Sequence, residues 1–194
     1  GNVPVAYYGR HLDKHMRNIK IKGAPDQKFE YLSIATQILG VILEEATGKT
    51  VTNYLQEKLW TPIGTEYNAS WSLDKKDGRE KSFCCINARA RDFAKFGKLY
   101  LQMGKWDDNQ VVPEEWIRNS VEIHAKTKDN FYQYQWWLEP QTGKSNDKTN
   151  YMAQGILGQY IYVSPEKNTI IVRLGKNWGK INWRMVFSNI SNSI

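Results

Sequence analysis

The sequence predicts an α+β fold in which an antiparallel sheet is flanked by helices. Two observations carry this. Up to residue 130 apolar residues recur at helical spacing, and after it they gather into short aromatic and β-branched runs separated by turn residues. Helical spacing returns only at the end. Helices, then strands, then a helix is the order of an α+β layout rather than a strict βα alternation. No internal repeat or low-complexity segment interrupts it.

Residues 1–30 are polar and basic, with Pro4, Pro25 and the loop Gly23-Ala24-Pro25-Asp26. Ala35, Ile38, Leu39, Ile42, Leu43 and Ala46 then form one continuous helical face, and Gly48 stands where a C-terminal cap belongs. Thr50 caps a second helix bearing Val51, Tyr54, Leu55 and Leu59, with Pro62 ending it. Gly64 to Ser82 reads as loop. A third helix is expected from Asn87, as cap, to Met103, with Phe93, Phe96 and Tyr100 on one side and Gly104 at its end. Pro113 followed by Glu114 and Glu115 announces a fourth. Tyr160–Val163 and Thr169–Leu174, joined by Pro165-Glu166-Lys167-Asn168, read as an antiparallel hairpin. Trp183, Val186, Phe187 and Ile190 mark a closing helix over 182–194. The expected organisation is one partial domain, mostly helical over 1–130, with the sheet and last helix over 131–194.

The 194 residues hold 41% hydrophobic and 24% charged residues, the proportions of a folded globular chain rather than a disordered one. The longest apolar-rich run without charge, Leu32 to Leu43, is about 12 residues and too short to span a bilayer. No basic segment followed by an apolar core opens the sequence, so it shows no signal peptide. Cys84 and Cys85, the only cysteines, are adjacent and cannot form a disulfide framework. The net charge of +7 reads as a solvated basic surface, or one attracted to an anionic cell-envelope polymer. Lysines gather loosely at Lys14–Lys22 and Lys144–Lys148 without an Arg-rich helix or a nucleic-acid-binding signature, so no nucleic-acid partner is expected.

Three familiar signals fail. Thr47-Gly48-Lys49-Thr50 and Gly143-Lys144-Ser145 resemble the end of a phosphate-binding loop, but its first glycine would fall at Leu43 or Leu138. His11 and His15 lie one helical turn apart, yet no Glu follows His11 and the remaining histidine is His124, so neither a metal nor a cofactor is expected. Ser-x-x-Lys, which sets a hydroxyl beside a lysine able to take its proton, occurs at Ser72/Lys75, Ser145/Lys148 and Ser164/Lys167. None of these opens an apolar helix, and all three read as chance.

Three other segments carry chemistry together. They are Phe29-Glu30-Tyr31-Leu32-Ser33-Ile34-Ala35 running to Gly48-Lys49, Asn87-Ala88-Arg89-Ala90-Arg91-Asp92-Phe93-Ala94-Lys95-Phe96-Gly97, and Tyr151-Met152-Ala153-Gln154-Gly155-Ile156-Leu157-Gly158-Gln159-Tyr160 running to Lys167. Across about residues 25 to 190 they resemble the class C β-lactamase-related serine hydrolases, nearest to the 6-aminohexanoate-dimer hydrolase and esterase-like branch. The resemblance implies a β-lactamase/transpeptidase-like fold and cleavage of an amide or ester in a small-molecule or peptide substrate through an acyl-enzyme. It also implies a periplasmic or secreted location.

By position, Tyr31-Leu32-Ser33 matches the family's Tyr-x-Asn or Tyr-x-Ser motif. Tyr31 would shuttle protons and Ser33 would support the network. A phenol, with a pKa of about 10 in water, becomes a useful base when a neighbouring lysine favours its ionised form. Ala153-Gln154-Gly155 stands where the family usually has Lys-Thr-Gly or His-x-Gly, so the cation that would meet a substrate carboxylate is missing and true β-lactamase activity is not expected. These small residues still let backbone approach substrate, with the Ile156 N–H as an oxyanion donor. Trp136 would wall an acyl pocket or pack in the core. The family's Ser-x-x-Lys helix lies many tens of residues before Tyr-x-Asn, but only 30 residues precede Tyr31, and they contain no Ser, Thr or Cys. The expectation is therefore the C-terminal portion of a longer hydrolase, inactive without its N-terminal segment. The alternative is a non-catalytic homologue that binds peptidoglycan or peptides.

Overall fold

The computed structural model describes residues 9–20, 23–24, 29–123, 131–139 and 149–194. The chain packs as two units, Gly1–Thr61 with Asn68–Ala88, and Pro62–Tyr67 with Arg89–Ile194. Pro25, Asp26, His124, the lysines of 144–148 and the Ser145/Lys148 pair lie outside the described residues.

The first unit holds α1 (Leu12–Arg17), α2 (Ser33–Thr47), α3 (Val51–Leu55) and the short antiparallel strands β1 (Ser70–Trp71) and β2 (Ile86–Asn87). Helix α1 was not anticipated in the basic opening, because one buried side chain, Leu12, leaves no periodicity to read. Helix α2 ends as expected, with Gly48 in the left-handed region at φ 67°. Thr50 caps α3 by accepting from Asn53 N at 3.2 Å, and a wider π turn carries the chain on through Gln56–Trp60 before Pro62.

What α2 buries differs from what its pattern suggests. Its buried residues are Gln37 and Gly40, while Ile38, Leu39 and Ile42 of the apolar stripe are exposed. The inward side is held by polar bonds. Gln37 Nε2 donates to Glu80 O at 2.9 Å, its Oε1 accepts from Ser82 N at 3.0 Å, and Ser82 Oγ donates to Thr36 O at 3.2 Å. Gly40 is required there, since a Cβ would overlap the Ser82 side chain. Arg79 pairs with Glu44 and, at 2.9 Å, with Asp13, while Asp74 Oδ2 accepts from Leu12 N at 3.0 Å. Because each buried amide and carboxylate named here has a partner, burial does not leave it uncompensated. The cysteines bond to each other across a single peptide, so they staple no distant segments.

In the second unit a five-stranded antiparallel sheet has its strands paired in chain order. Helix α4 (Ala90–Leu101) comes first, with Arg89 in the cap position expected for Asn87, because Asn87 in β2 pairs with Ser70 in β1. A small hairpin follows, β3 (Lys105–Trp106) and β4 (Asn109–Gln110), then α5 (Glu114–Val121) with Pro113 as its cap. The sheet comprises β5 (Tyr132–Gln133), β6 (Trp136–Leu138), β7 (Tyr151–Gly155), β8 (Gln159–Ser164) and β9 (Thr169–Arg173). The expected hairpin is β8–β9, with Tyr160 opposite Arg173 and Ser164 opposite Thr169. The closing helix α6 (Trp183–Asn192) is capped by Asn182, whose Oδ1 accepts from Met185 N at 3.2 Å.

Strand alternation divides the sheet into two faces. Tyr151, Val163, Trp136 and Leu138 pack with Tyr100, Ile117 and Val121 of α4 and α5. Met152, Tyr160 and Tyr162 pack with Phe187 of α6. This is the expected antiparallel sheet flanked by helices. Among the described residues, no helix is long and apolar enough to cross a membrane.

Tyr162, fully buried, donates its hydroxyl to Glu139 Oε2 at 3.3 Å. Burial, and then the Glu139 charge, push its phenol up to about 12. An unfolded phenol titrates near pH 10, so the unfolded state releases its proton first. The stabilisation is whole below about pH 10 and is lost as pH rises through the folded value. Thermal melts across that alkaline interval are expected to show a falling midpoint in the parent chain and a smaller fall in Tyr162→Phe. Equal falls would contradict this assignment.

Candidate active site

The residues singled out by sequence lie in two groups, one in each unit. Tyr31, Leu32 and Ser33 form the entrance to α2. Leu32 is extended (φ −126°, ψ 106°) and acts as the cap, with its carbonyl accepting from Ala35 N at 3.0 Å, and Ser33 opens the helix. The extended-to-helical junction thus places a phenol and a hydroxyl two residues apart at a helix start. Tyr31 is 51% exposed and Ser33 half-buried. The next turn of α2 is the one that Thr36 and Gln37 tie to residues 80–82, so the junction is anchored from behind.

The second group ends β7. Ala153, Gln154 and Gly155 pair with Ile161, Tyr160 and Gln159 of β8. Ala153 packs against the α4-side core, Gln154 is exposed, and Gly155 leads into a 3₁₀ turn, Ile156–Gly158. Ile156 is 49% exposed. Leu157 and Gly158 take φ of 59° and 81°, so this tight strand-to-strand turn runs through the left-handed region twice.

Trp136 packs in the core. It is 3% exposed, with its ring 4.6 Å from Tyr100, 5.1 Å from Tyr151 and stacked on Phe96 at 5.9 Å. Of the two roles the sequence leaves open for it, core packing is the one these contacts describe.

Two residues that sequence reasoning did not assign hold the β7–β8 turn. Gln159 uses both ends of its amide on Gly175, with Oε1 accepting from Gly175 N at 2.9 Å and Nε2 donating to Gly175 O at 2.5 Å. Arg173 donates to Gly158 O and, at 3.3 Å, to Asn177 O, while its guanidinium stacks 3.9 Å over Trp183. Space is so tight that a Cβ on Gly158 or Gly175 would overlap the Arg173 guanidinium. Gly158 and Gln159 stand in the third chemistry-bearing segment of the sequence, with nothing beside them to mark a clasp. The partner of Gln159, Gly175, lies 16 residues away, and no local pattern links the two.

The antiparallel sheet with helices on both faces has the β-lactamase/transpeptidase-like fold of the solved structures it resembles. The family model for Beta-lactamase matches residues 4–180, and the chain belongs to that family. Over 158 residues it is 28% identical to the 6-aminohexanoate-dimer hydrolase of Paenarthrobacter ureafaciens, covering 76% of this chain and 39% of that protein. A solved Bacillus anthracis structure named for the same hydrolase superposes with a TM-score of 0.80 at 26% identity, covering 94% of this chain and 47% of the other. A Bacteroides dorei structure named for the β-lactamases, at 16% identity and a TM-score of 0.69, shares the fold over 95% of this chain and 66% of its own. The chain therefore spans less than half the length of both relatives named for the 6-aminohexanoate-dimer hydrolase. Its lineage is that of hydrolases.

Removing the Gln159 amide takes away both bonds to Gly175. In Gln159→Ala, amide exchange followed by NMR is expected to quicken at least tenfold at Gly175 and through 156–158, while Ile161 and Val163 in mid-β8 keep their parent rates. Uniform acceleration along β8 would show that Gln159 supports the sheet and not the turn.

Proposed function

We propose that this chain supplies the proton-handling and oxyanion-binding parts of a serine hydrolase that cleaves an amide or ester through an acyl-enzyme. The observation that carries the reading is the family match over residues 4–180, on a chain whose first unit starts a helix with Tyr31-Leu32-Ser33 and whose second unit ends β7 in an exposed turn at Ile156. In it the attacking serine and its lysine belong to a segment outside these 194 residues, in keeping with the 39% and 47% of the two relatives that the chain spans. Tyr31 passes the proton between nucleophile and leaving group, and Ser33 supports it. The Ile156 N–H donates to the oxyanion as charge develops on the substrate oxygen, and the small Ala153-Gln154-Gly155 strand end lets backbone come close.

The name of the Paenarthrobacter relative states that protein's substrate, a dimer of an amino acid and hence an amide. Transferred here, it favours a short amide as substrate, and Ala153, standing where the family usually carries a cation, argues separately against a β-lactam. That same replacement is what favours the competing reading, a homologue that binds peptides or peptidoglycan without cleaving them.

A fluorophosphonate probe distinguishes these. The 194-residue chain alone is expected to take no covalent label and to hydrolyse no p-nitrophenyl ester, whereas a longer protein carrying an upstream Ser-x-x-Lys helix labels on that serine. In that longer protein Tyr31→Phe should lower kcat by about 10²–10⁴ and Ile156→Pro, which removes the N–H, by about 10²–10³. Labelling of the isolated chain would overturn the division of the site, and an unlabelled longer protein would favour the binder.

A further inference from the structure

Cys84 and Cys85 are joined as a disulfide between neighbouring residues, a feature the hydrolase reading does not use. A disulfide stabilises a fold mainly by closing a long loop and restricting the unfolded chain. Here the sequence separation is 1, with the Cα atoms 3.7 Å apart, so almost no chain is enclosed. The bond therefore contributes little loop-closure stability. Neither cysteine is buried.

Hydrogen bonds that do not involve the sulfurs anchor both residues. Cys84 N donates to Lys81 O at 2.9 Å, and Cys84 O accepts from the indole N–H of Trp71 at 2.7 Å. Cys85 O accepts from Ser72 N at 3.2 Å, and Cys85 adopts a left-handed φ of 76°. Two thiols held side by side on an anchored, accessible turn are poised to react with each other faster than with a second molecule. The turn also reaches the candidate catalytic helix, since Ser82, two residues before Cys84, is bonded to Thr36 and Gln37 of α2.

We propose that Cys84 and Cys85 form a reversible two-electron redox site whose co-reactant is a low-molecular-weight disulfide. One cysteine thiolate attacks a sulfur of the small disulfide, whose S–S bond breaks and whose first thiolate leaves and takes up a proton. The neighbouring cysteine then attacks the protein-bound sulfur, forming the Cys84–Cys85 bond and expelling the second small thiolate, which is protonated in turn. The pair loses two electrons and two protons, and the small disulfide becomes two thiols. Excess small thiol reverses every step. The inference is independent of the proposed hydrolase activity, and its test does not involve substrate.

The test uses the 194-residue chain with glutathione disulfide as oxidant, dithiothreitol as reductant and iodoacetamide as label, read by intact mass without denaturant. The oxidised chain is expected to carry no label, and the reduced chain to gain two hydrogens and take two labels, with unchanged far-ultraviolet circular dichroism. The cycle should repeat. Cys85→Ser, which leaves no neighbouring thiol, should instead hold one glutathione as a stable mixed disulfide. Because the Trp71 indole is bonded to Cys84 O, reduction should also raise tryptophan emission, and the rise should vanish in Trp71→Phe. Two free thiols after oxidation, two retained glutathiones per chain, or labelling only in denaturant would each overturn the proposal.

Discussion

The second unit depends on how closely α4 approaches the sheet at Gly97. A Cβ at this position would sit 2.9 Å from Ile170 Cγ2 and 3.0 Å from Ile161 Cγ2, inside normal contact. Those methyl groups branch directly from Cβ and have little rotamer freedom to yield. The absence of one side chain therefore lets the helix backbone settle onto β8 and β9. Phe96, one residue earlier, and Tyr100, one turn later, then reach Trp136, with Tyr100 also meeting Tyr151. Tyr151 opens the strand that ends in Gly155 and the Ile156 turn, so the packing under Gly97 fixes the base of the strand whose tip is the candidate site.

The two site groups are held by different physics. The Ile156 turn stands on an apolar core and is finished by polar clasps, Gln159 on Gly175 and Arg173 on Gly158 and Asn177. The Tyr31–Ser33 junction stands on a helix whose inward side is a buried amide network around Gln37, with its apolar stripe turned outward. A satisfied buried amide specifies one geometry, because displacing it leaves several groups unpaired at once. Each arrangement holds backbone in a defined position near residues that the proposed reaction uses.

Much of this was legible in the sequence because it is local. The α2 cap at Gly48, the Thr50 cap, the β8–β9 hairpin and the closing helix each follow from residues a few positions apart. The site motifs were legible as strings for the same reason, although a string does not say what holds it. The burial of α2 was not legible. Periodicity reports that an apolar face exists and not which way it turns, and the inward side is chosen by the Gln37–Glu80 and Ser82–Thr36 bonds across more than 40 positions. Asn87 misled as a helix cap because its pairing with Ser70 is non-local.

The claim that the α4–sheet approach organises the second unit is tested most directly by the thermal and chemical stability of Gly97→Ala. Glycine to alanine in a helix interior ordinarily stabilises by about 0.5–1 kcal/mol. Here the added methyl must displace β-branched side chains in a close-packed layer, so the account predicts a net destabilisation of about 1–3 kcal/mol. An unchanged or higher stability would contradict it, because it would show that the helix and sheet have room between them.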